Sequence, residues 1–516
     1  MASSVSRRRF FGLTVAGATL GLLQARAAAA EAAEPKRGGT FTLALTAALV
    51  DFNPMRTTAG HYPFMRSIYS TLIRQDFQLQ PHPDLAERWN LSQDGKSMTV
   101  KLREGVKFHS GREFTSADVK YSWEFASTDS SVTQLGMFKT VKGVETPEKY
   151  VAVLKFDGVN PSVFDILDTL YMVDKENFPE KKANTAVGTG PFKLEKYVPN
   201  DRFECVAFKD YWDKGKPYLD RYITKVVPDP GALAINLESG AVDCIRGASY
   251  LDVVRLGQSG GKYSVHMGPP GLAFFDVAIN CKTEPFTNKK VRQAVAWAVD
   301  RARFCRTTLQ GLAEPTTLIW PPTSWAYFKD LEGRLGYDLE KAKALLKEAG
   351  FPNGFETELI TSATYNFAFN GLANILQADL GKIGIKARLK DVDTATYTYQ
   401  FVNKREYAMA MQSYGRANRD PGSTVTAAKA WTSDKEGSWT RFESAEWDGL
   451  RKALNSTLDR AQRLPIARQI QEMALDECFT IVAAPNLQPW VHRSYVKGHQ
   501  VDLDNSNFTD AVWLER

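Results

Sequence analysis

Apolar and polar residues alternate along one early stretch of the chain, and this pattern predicts a β-strand. Met98, Val100 and Leu102 are apolar while the residues between them are polar, which is the period of a half-buried strand. Asp94 and Gly95 come just before it, and both tolerate the positive φ of a tight turn. The stretch therefore predicts an antiparallel hairpin that turns at these two residues.

The residues after the hairpin follow helical spacing. Thr115 and Asp118 are three residues apart, as in a capping box, where each side chain accepts a hydrogen bond from the other residue's backbone N–H. Val119, Trp123 and Ala126 then recur at the spacing of one helix face. We expect a helix that begins at this box.

The same two patterns alternate through the rest of the chain, which is typical of mixed α/β proteins. Alternating or apolar runs predict strands at 40–45, 150–156, 202–208, 272–279 and 385–389. Apolar stripes predict helices at 62–72, 291–299, 342–349 and 372–383. Asp229 and Pro230 are suited to begin a further helix, and Gly240 is suited to end it.

Residues 83–124, PDLAERWNLSQDGKSMTVKLREGVKFHSGREFTSADVKYSWE, resemble a known family. They are similar to the N-terminal hallmark of the peptide/nickel class (family 5) of extracytoplasmic solute-binding proteins of ABC importers, which includes dipeptide- and oligopeptide-binding proteins. Later blocks of that family are matched in the usual order by GTGPFKLEKY (188–197), DYWDKGKPYLDRY (210–222), LESGAVD (237–243), PFTNKKVRQAVAWAVDR (285–301) and YDLEKAKALLKEAGFPNG (337–354).

The resemblance implies an α/β fold like that of type II periplasmic binding proteins, with two hinged lobes and an extra third subdomain, as in cluster C. The expected divisions are a signal peptide at 1–30, lobe I at 31–75, 187–271 and 486–516, the extra subdomain (II) at 76–186, and lobe III at 272–485.

Length and charge agree with this organisation. A chain of 516 residues with 43% hydrophobic residues can bury more than one core. The formal charge is +6, and four arginines fall within residues 1–30, which contain no acid, so the remainder carries only about +2. Such a small excess argues against nucleic acid as a partner.

The N-terminus predicts an export signal. Residues 6–11, SRRRFF, match a twin-arginine motif, and a weakly apolar run at 12–23 is followed by alanines at 28–30. About 12 apolar residues are too few to cross a membrane that needs roughly 20. We expect cleavage, export to the periplasm in the folded state, and no membrane span later in the chain.

Cysteine and histidine usage gives little support for a cofactor or a metal. The five cysteines are an odd number without C-x-x-C spacing; export would permit one or two disulfides and leave a buried thiol. No two of the six histidines are spaced i, i+4, so a helical zinc site has no support. His109, in the hallmark stretch, is expected to make a structural hydrogen bond. No glycine loop that could hold a phosphate is present, so ATP hydrolysis must belong to a partner.

Residues 257–261, GQSGG, match the G-x-S-x-G pattern of serine hydrolases and raise the alternative of a secreted hydrolase that uses Ser259. A nucleophile elbow needs a strand before the serine and a helix after it. Here a helix-like run at 251–256 comes first and an extended run at 262–265 follows. A flexible loop is the better interpretation, and we expect no enzymatic activity.

Ligand specificity is expected in the loop 414–421, YGRANRDP. In peptide-binding relatives this loop carries an aspartate, four residues before the proline, that pairs with the α-ammonium of the ligand. Ala417 occupies that position here and Arg416 precedes it. A guanidinium suits a carboxylate or a phosphate, so we expect an anionic peptide-like or opine-like solute. Arg416 and Arg419 could instead pair with local acids or face solvent.

The full set of expected ligand-binding residues combines this loop with aromatic side chains that lie where relatives line the cleft. Its members are Tyr414, Arg416, Asn418, Arg419, Trp431, Trp439, Tyr250, Phe274 and Phe275. The aromatic members could stack on sugar rings, which makes an oligosaccharide the alternative solute, or they could pack in the core.

A binding protein without cofactor is therefore the predicted function. Two lobes joined by crossing strands can close over a solute that touches both, because the solute stabilises the closed state by its differential affinity. The expected partners are a peptide-like or sugar-like small molecule and an ABC permease of the inner membrane, and we expect the receptor to be a monomer.

Overall fold

The computed structural model describes residues 34–49, 51–56, 61–178 and 185–516. The expected twin-arginine signal at 1–30 lies outside these residues. Within the described part of the chain, no helix combines the length and the apolar character that a membrane crossing requires.

The described strands are, in chain order, β1 (Thr40–Leu45), β2 (Ile73–Gln75), β3 (Pro81–Pro83), β4 (Ala86–Leu91), β5 (Ser97–Leu102), β6 (Val141–Glu148), β7 (Val151–Phe156), β8 (Phe192–Val198), β9 (Arg202–Ala207), β10 (Arg221–Val226), β11 (Cys244–Arg246), β12 (Tyr263–His266), β13 (Ala273–Ile279), β14 (Glu356–Thr361), β15 (Lys386–Asp391), β16 (Met409–Gly415), β17 (Thr480–Pro485), β18 (Trp490–Arg493), β19 (Val496–Lys497), β20 (Gln500–Val501), β21 (Asn507–Phe508) and β22 (Trp513–Leu514).

The described α-helices are α1 (Tyr62–Ile68), α2 (Ser116–Thr128), α3 (Leu135–Phe138), α4 (Val163–Thr169), α5 (Pro230–Ser239), α6 (Tyr250–Gly257), α7 (Lys289–Trp297), α8 (Arg301–Thr307), α9 (Leu339–Glu348), α10 (Ala368–Lys382), α11 (Thr394–Tyr397), α12 (Pro421–Ala427), α13 (Ala445–Asn455) and α14 (Arg460–Glu477). A π-helix spans Thr398–Lys404, and 3-10 turns span Lys329–Leu331 and Asp434–Glu436.

Seven strands form the largest sheet, in the order β12-β18-β11-β1-β10-β9-β8. The central β1 pairs in parallel with β10 and β11, and its side chains Phe41, Leu43 and Leu45 are buried. Strand β18, from the end of the chain, inserts antiparallel between β11 and β12. We call this sheet, with α1 and the segment 496–514 packed against it, the seven-stranded lobe.

Four antiparallel strands form a second sheet, in the order β4-β5-β7-β6. The predicted hairpin is confirmed as β4 and β5, with Gly95 at φ 67° in the connecting turn. The predicted capping box is also confirmed, because the backbone N–H of Thr115 donates to Asp118 at 2.9 Å where α2 begins. This sheet and the helices α2 and α4 share one apolar core and are called the four-stranded lobe.

Five strands form the third sheet, in the order β15-β14-β16-β13-β17, and the sheet shares one apolar core with α7, α9 and α10. A neighbouring apolar core holds α13 and α14. We call this region the five-stranded lobe. Three large sheets and three two-stranded sheets, with interleaved helices, confirm the mixed α/β class.

The predicted helix at 62–72 is shorter than expected. It ends at Ile68, and Tyr69 is extended at φ −115° and ψ 156°. The chain leaves the helix because the next residues join other backbone: the N–H of Leu72 donates to Leu167, and Ile73 begins β2. The helix predicted from Asp229 to Gly240 is confirmed, with the Asp229 side chain accepting from Gly231 and Gly240 at φ 84°.

The five cysteines are all unpaired, so the one or two disulfides that export would permit are not formed. Cys205 and Cys244 lie inside the seven-stranded lobe, where burial raises the pKa of each thiol. These cysteines act as small apolar side chains of the core.

Candidate functional site

The loop that follows β16 brings the five-stranded lobe against the other two lobes. Arg416 begins the loop at φ 71°, and its backbone N–H donates to the Leu272 carbonyl at 2.5 Å. The N–H of Asn418 donates to the Gly271 carbonyl at 3.0 Å. These bonds fix the loop to the segment that crosses between the seven-stranded and five-stranded lobes.

Six charged side chains from all three lobes meet at this loop. We call them the interlobe charge cluster. Its members are Arg66, Asp502 and Asp504 from the seven-stranded lobe, Asp168 from the four-stranded lobe, and Arg416 and Arg419 from the five-stranded lobe. The three guanidinium groups match three carboxylates in number, so the cluster can be neutral although it is largely buried.

Arg419 is the most enclosed arginine of the loop. Its side chain is 1% exposed, pairs with Asp168, lies 3.0 Å from Asp504 and donates to Gln75 at 3.1 Å. Burial by itself would lower the pKa of Arg419, but the carboxylates of Asp504 and Asp168 outweigh it and raise that pKa. The Arg419 side chain therefore connects three lobes.

Arg66 completes the inner part of the cluster. It donates to Asp502 at 2.7 Å and to Asp168 at 2.8 Å. Burial raises the pKa of Asp502 against the opposing effect of Arg66. Burial also acts to raise the pKa of Asp504, but the surrounding arginines, Arg416 first, lower it.

Arg416 differs from the inner arginines because it keeps contact with solvent. Its side chain is 17% exposed and makes one ion pair, to Asp504 at 3.3 Å. Tyr62 of the seven-stranded lobe lies close by: burial and Asp504 raise its pKa, while Arg246 and Arg416 lower it. The guanidinium of Arg246 lies 4.8 Å from the Tyr62 ring centre, and burial lowers the pKa of Arg246 to about 10.

A second interlobe contact lies beside the charge cluster. The backbone N–H of Asp420 donates to the Asp165 carboxylate at 3.1 Å, and Arg463 holds Asp420 from the other side at 2.5 and 2.9 Å. Burial, and to a smaller extent Asp420, raises the pKa of Asp165 to about 6 although Arg419 lowers it. Asp165 is therefore a titratable group at the junction of the four-stranded and five-stranded lobes.

The predicted aromatic residues are divided between several places. Phe274 and Tyr414 stack at 5.5 Å, and Trp431 packs on Tyr414 at 5.3 Å, all inside one core of the five-stranded lobe. Phe275 points to the opposite side of β13, towards Phe304.

The other two aromatic residues are less enclosed by their own lobes. Tyr250 begins α6, donates to the Leu487 carbonyl at 3.1 Å and lies 5.3 Å from the exposed Phe367 ring. Trp439 is half-buried against Phe401. The role of each predicted aromatic residue in ligand binding stays a prediction.

Sequence reasoning missed most of the residues that surround Arg416. Five of them were not predicted, because each lies far from the loop in sequence: Tyr62, Asp168, Arg246, Asp502 and Asp504. The two acids of the segment 502–505, DLDN, are a weak local indication of carboxylates that could pair with arginines. Nothing in their spacing indicates which arginines they meet.

The structure gives Ser259 no catalytic setting. It follows α6 and precedes β12, which is the reverse of a nucleophile elbow, and its hydroxyl donates to the Leu256 carbonyl at 2.5 Å. The prediction of a loop is confirmed.

His109 makes the structural hydrogen bonds that were predicted. The N–H of Gly188 donates to its Nδ1 at 3.3 Å, which leaves Nε2–H to donate to the Gly190 carbonyl at 3.0 Å. Burial lowers the pKa of His109 to about 4, so the ring is neutral at pH 7.

Three histidines that are distant in sequence meet in the seven-stranded lobe. His266 is the last residue of β12, His492 lies in β18 and His499 precedes β20, and one ligand atom of each lies within 4.8 Å of the others. We call these residues the histidine cluster. Burial lowers the pKa of His492 to about 4 and that of His499 well below its usual range.

Described residues line two cavities of several hundred Å³. One of about 620 Å³ lies on the outer strands β14 and β15 of the five-stranded lobe. Another, of about 440 Å³, is lined by Gln75 and Asp502 and adjoins the inner side of the charge cluster. Neither is lined by Arg416 or Trp439.

The family model described as "Bacterial extracellular solute-binding proteins, family 5 Middle" matches residues 80–436. The chain belongs to this family. A dipeptide-binding protein of Escherichia coli (strain K12) is 28% identical over 501 residues, covering 90% of this chain and 92% of that protein.

Solved structures agree with this family 5 assignment. The periplasmic binding protein DppA from Helicobacter pylori, in complex with the peptide STSA, has a TM-score of 0.81 and 26% identity, covering 93% of this chain and 99% of that one. AgaA from A. tumefacien R10, in complex with agropinic acid, has a TM-score of 0.80 and 25% identity with the same coverage. The family 5 protein is a lobed solute-binding protein and not an enzyme.

Proposed function

We propose that this family 5 protein is the receptor of an ABC importer that captures an anionic peptide-like or opine-like solute between its lobes. The similar solved structures include one with a peptide and one with agropinic acid. Among these classes we favour an anionic solute because Arg416 stands in the loop where Ala417 replaces a carboxylate.

The observation that carries the proposal is the position of two cations on opposite lobes. Arg416 belongs to the five-stranded lobe, and Arg246 ends β11 in the seven-stranded lobe, where it is buried over the Tyr62 ring. Both guanidinium groups lower the pKa of Tyr62. A solute carboxylate can form two hydrogen bonds with a guanidinium. The contact of Arg416 with Asp504, at 3.3 Å, is longer than a charge-assisted hydrogen bond of about 2.8 Å, so a solute can compete for it.

The inner members of the charge cluster have a different proposed role. Arg419 and Asn418 hold the loop, since Arg419 is enclosed by carboxylates and the Asn418 side chain donates to the Leu503 carbonyl at 2.5 Å. Among the aromatic residues we favour Trp439 as a ring that a solute reaches, because it is half-buried while Trp431 is only 1% exposed.

Closure is the proposed signal to the transporter. A solute that touches Arg416 and Arg246 together binds the closed arrangement better than the open one, and this difference shifts the equilibrium towards closure. A permease of the inner membrane that docks on closed molecules would then import loaded receptor only. We propose that the receptor acts as a monomer in the periplasm after twin-arginine export, with lobe I, subdomain II and lobe III divided as the sequence predicts.

The first test is a thermal-shift screen of the protein against acidic peptides, opine-type conjugates, their amidated counterparts and oligosaccharides. Binding to the native state raises the melting temperature. We expect shifts with free carboxylates and none with the amides. A shift with oligosaccharides alone would replace the proposed solute class by the sugar class.

The second test changes Arg416 itself. Losing a charge-assisted bidentate contact costs about 1.5–3 kcal/mol, so Arg416→Ala should weaken binding of the best anionic solute by about 10–100-fold in calorimetry. Arg441→Ala is the matched control, because Arg441 has a positive φ of 54° and a 3.4 Å pair with Asp434 in the same lobe. Equal affinity of the Arg416 variant and the native protein would refute the assigned role.

A further inference from the structure

We propose that His266, His492 and His499 form a binding site for one divalent transition-metal ion of the zinc, nickel or copper type. The site lies in the seven-stranded lobe and shares no residue with the interlobe charge cluster. It does not depend on the identity of the transported solute.

The three imidazoles already lie close together. The Nε2 atoms of His266 and His492 are 2.9 Å apart, and one ligand nitrogen of each of the three residues lies within 4.8 Å of the others. Zinc–nitrogen bonds of about 2.0 Å place tetrahedral ligand atoms roughly 3.3 Å apart. Side-chain rotations that shorten the longest of these separations by about 1.5 Å would therefore bring three nitrogens to one ion.

The second feature is the fixed orientation of His492. Its Nδ1–H donates to the Arg493 carbonyl at 2.9 Å, which leaves the Nε2 lone pair directed at the cluster. A backbone carbonyl that holds the other ring nitrogen is the usual support of a metal-binding histidine. When an ion binds, His266 carries its proton on Nδ1, so that both facing Nε2 atoms can donate electron pairs.

The third feature is an unsatisfied buried ring. His499 is only 6% exposed, and neither of its nitrogens has a hydrogen bond of normal geometry, although Asn507 lies near enough to affect its pKa. Leaving a buried polar atom without a partner costs about 1–3 kcal/mol. Coordination of one nitrogen to a metal ion would remove part of that cost.

The surroundings favour nitrogen-preferring ions and allow them to enter. The cluster found among the described residues contains imidazoles only, and such a set suits zinc, nickel or copper rather than calcium or magnesium. His266 is its most accessible member and ends β12, an edge strand of the sheet. Three protein ligands leave a fourth position for water.

The proposed ion would connect β12, β18 and the segment before β20, and thereby stabilise the seven-stranded lobe. We would titrate tag-free protein, freed of metal with a chelator, with Zn²⁺ in competition with an indicator dye. We expect about one equivalent to bind and the melting temperature to rise. Absence of one-to-one binding would overturn the proposal.

Variants locate the ion. His266→Ala should weaken Zn²⁺ binding by at least about tenfold, and His499→Ala should do the same if it folds. His82→Ala is the control, because His82 is exposed and pairs with Asp76 at 3.0 Å outside the cluster. Binding to His266→Ala as tight as that of the His82 control would refute the site.

A spectroscopic measurement on the native chain needs no variant. The electron paramagnetic resonance spectrum of the one-to-one Cu²⁺ complex should show hyperfine splitting from three imidazole nitrogens. A spectrum with oxygen ligands only, or with a single nitrogen, would place the ion elsewhere and overturn the proposal.

Discussion

Two contacts of the four-stranded lobe differ in chemistry: neutral groups meet the seven-stranded lobe at His109, whereas charged groups meet the five-stranded lobe at Asp168 and Asp165. Asp168 also pairs with Arg66 of the seven-stranded lobe, so that interface is not neutral throughout. At the first contact, His109 bonds to the backbone of Gly188 and Gly190. At the second, Asp168 pairs with Arg419, and Asp165 accepts from the backbone of Asp420.

The neutral contact is closely packed. A Cβ at Gly188 would lie 2.0 Å from the Ile68 carbonyl oxygen, and one at Gly190 would lie 2.6 Å from the carbonyl carbon of the same residue. The His109 ring also packs edge-on against Phe208 at 4.8 Å. Separating these groups would expose apolar surface and leave backbone groups unpaired, so this contact favours a permanent joint.

The charged contact has a different consequence. Buried ion pairs gain little net stability, because the attraction between the charges is offset by the loss of their hydration. If these lobes separated, water would hydrate the freed arginines and carboxylates. A cluster such as that around Arg419 therefore suits a contact that opens and closes.

The largest expected effect is that of Arg419→Ala. Breaking a buried ion pair costs about 3–5 kcal/mol, because Asp168 and Asp504 lose a partner. We expect the lobes to separate rather than the chain to unfold, so small-angle X-ray scattering of the solute-free protein should show a larger radius of gyration.

Arg441→Ala in the same lobe serves as the control and should leave the radius unchanged. Arg419→Ala could instead keep the native radius of gyration and show the whole loss of about 3–5 kcal/mol in its free energy of unfolding in urea. The charged contact would then be as permanent as the neutral one, and the distinction between them would fail.

His109→Ala should have a somewhat smaller effect of a different kind. It removes the partners of Gly188 N–H and Gly190 C=O and leaves a cavity beside Phe208, which should lower the free energy of unfolding by about 2–4 kcal/mol in urea titrations. The radius of gyration should not change. His82→Ala, on the surface, is the control and should leave the free energy of unfolding nearly unchanged. A His109→Ala protein with a larger radius of gyration but native stability would contradict the permanent joint.

The smallest effect concerns pH at the charged contact. The pKa of Asp165 is raised from 3.8 to about 6, so between these two pH values the folded protein holds a proton on Asp165 that the unfolded chain releases. The stabilisation from this proton is fully present below pH 3.8 and is lost as the pH rises through about 6. The neighbours that also affect Asp165 are Arg419, Asp420 and Ser423.

Asp165→Asn keeps a neutral side chain at every pH. The variant should therefore gain stability relative to the native protein as the pH rises from 4 to 7, which urea titrations at several pH values would measure. A difference between the two proteins that is constant over this range would show that Asp165 does not titrate as described.

Several parts of this protein followed from the sequence because they depend on neighbouring residues. The hairpin at Gly95, the capping box at Thr115 and the helix that ends at Gly240 use contacts within a few residues, and periodic apolar positions set the strands and helices between them. The family could likewise be identified from continuous blocks of sequence.

Only the tertiary structure decided how the charged and imidazole side chains are used. Arg416 and Arg419 are equivalent by sequence, yet one keeps contact with solvent and the other is enclosed by carboxylates of two other lobes. Arg66 meets Asp502 across 436 residues, and His266 meets His492 across 226. Burial and pairing depend on which distant segments the fold brings together, and no local pattern encodes that.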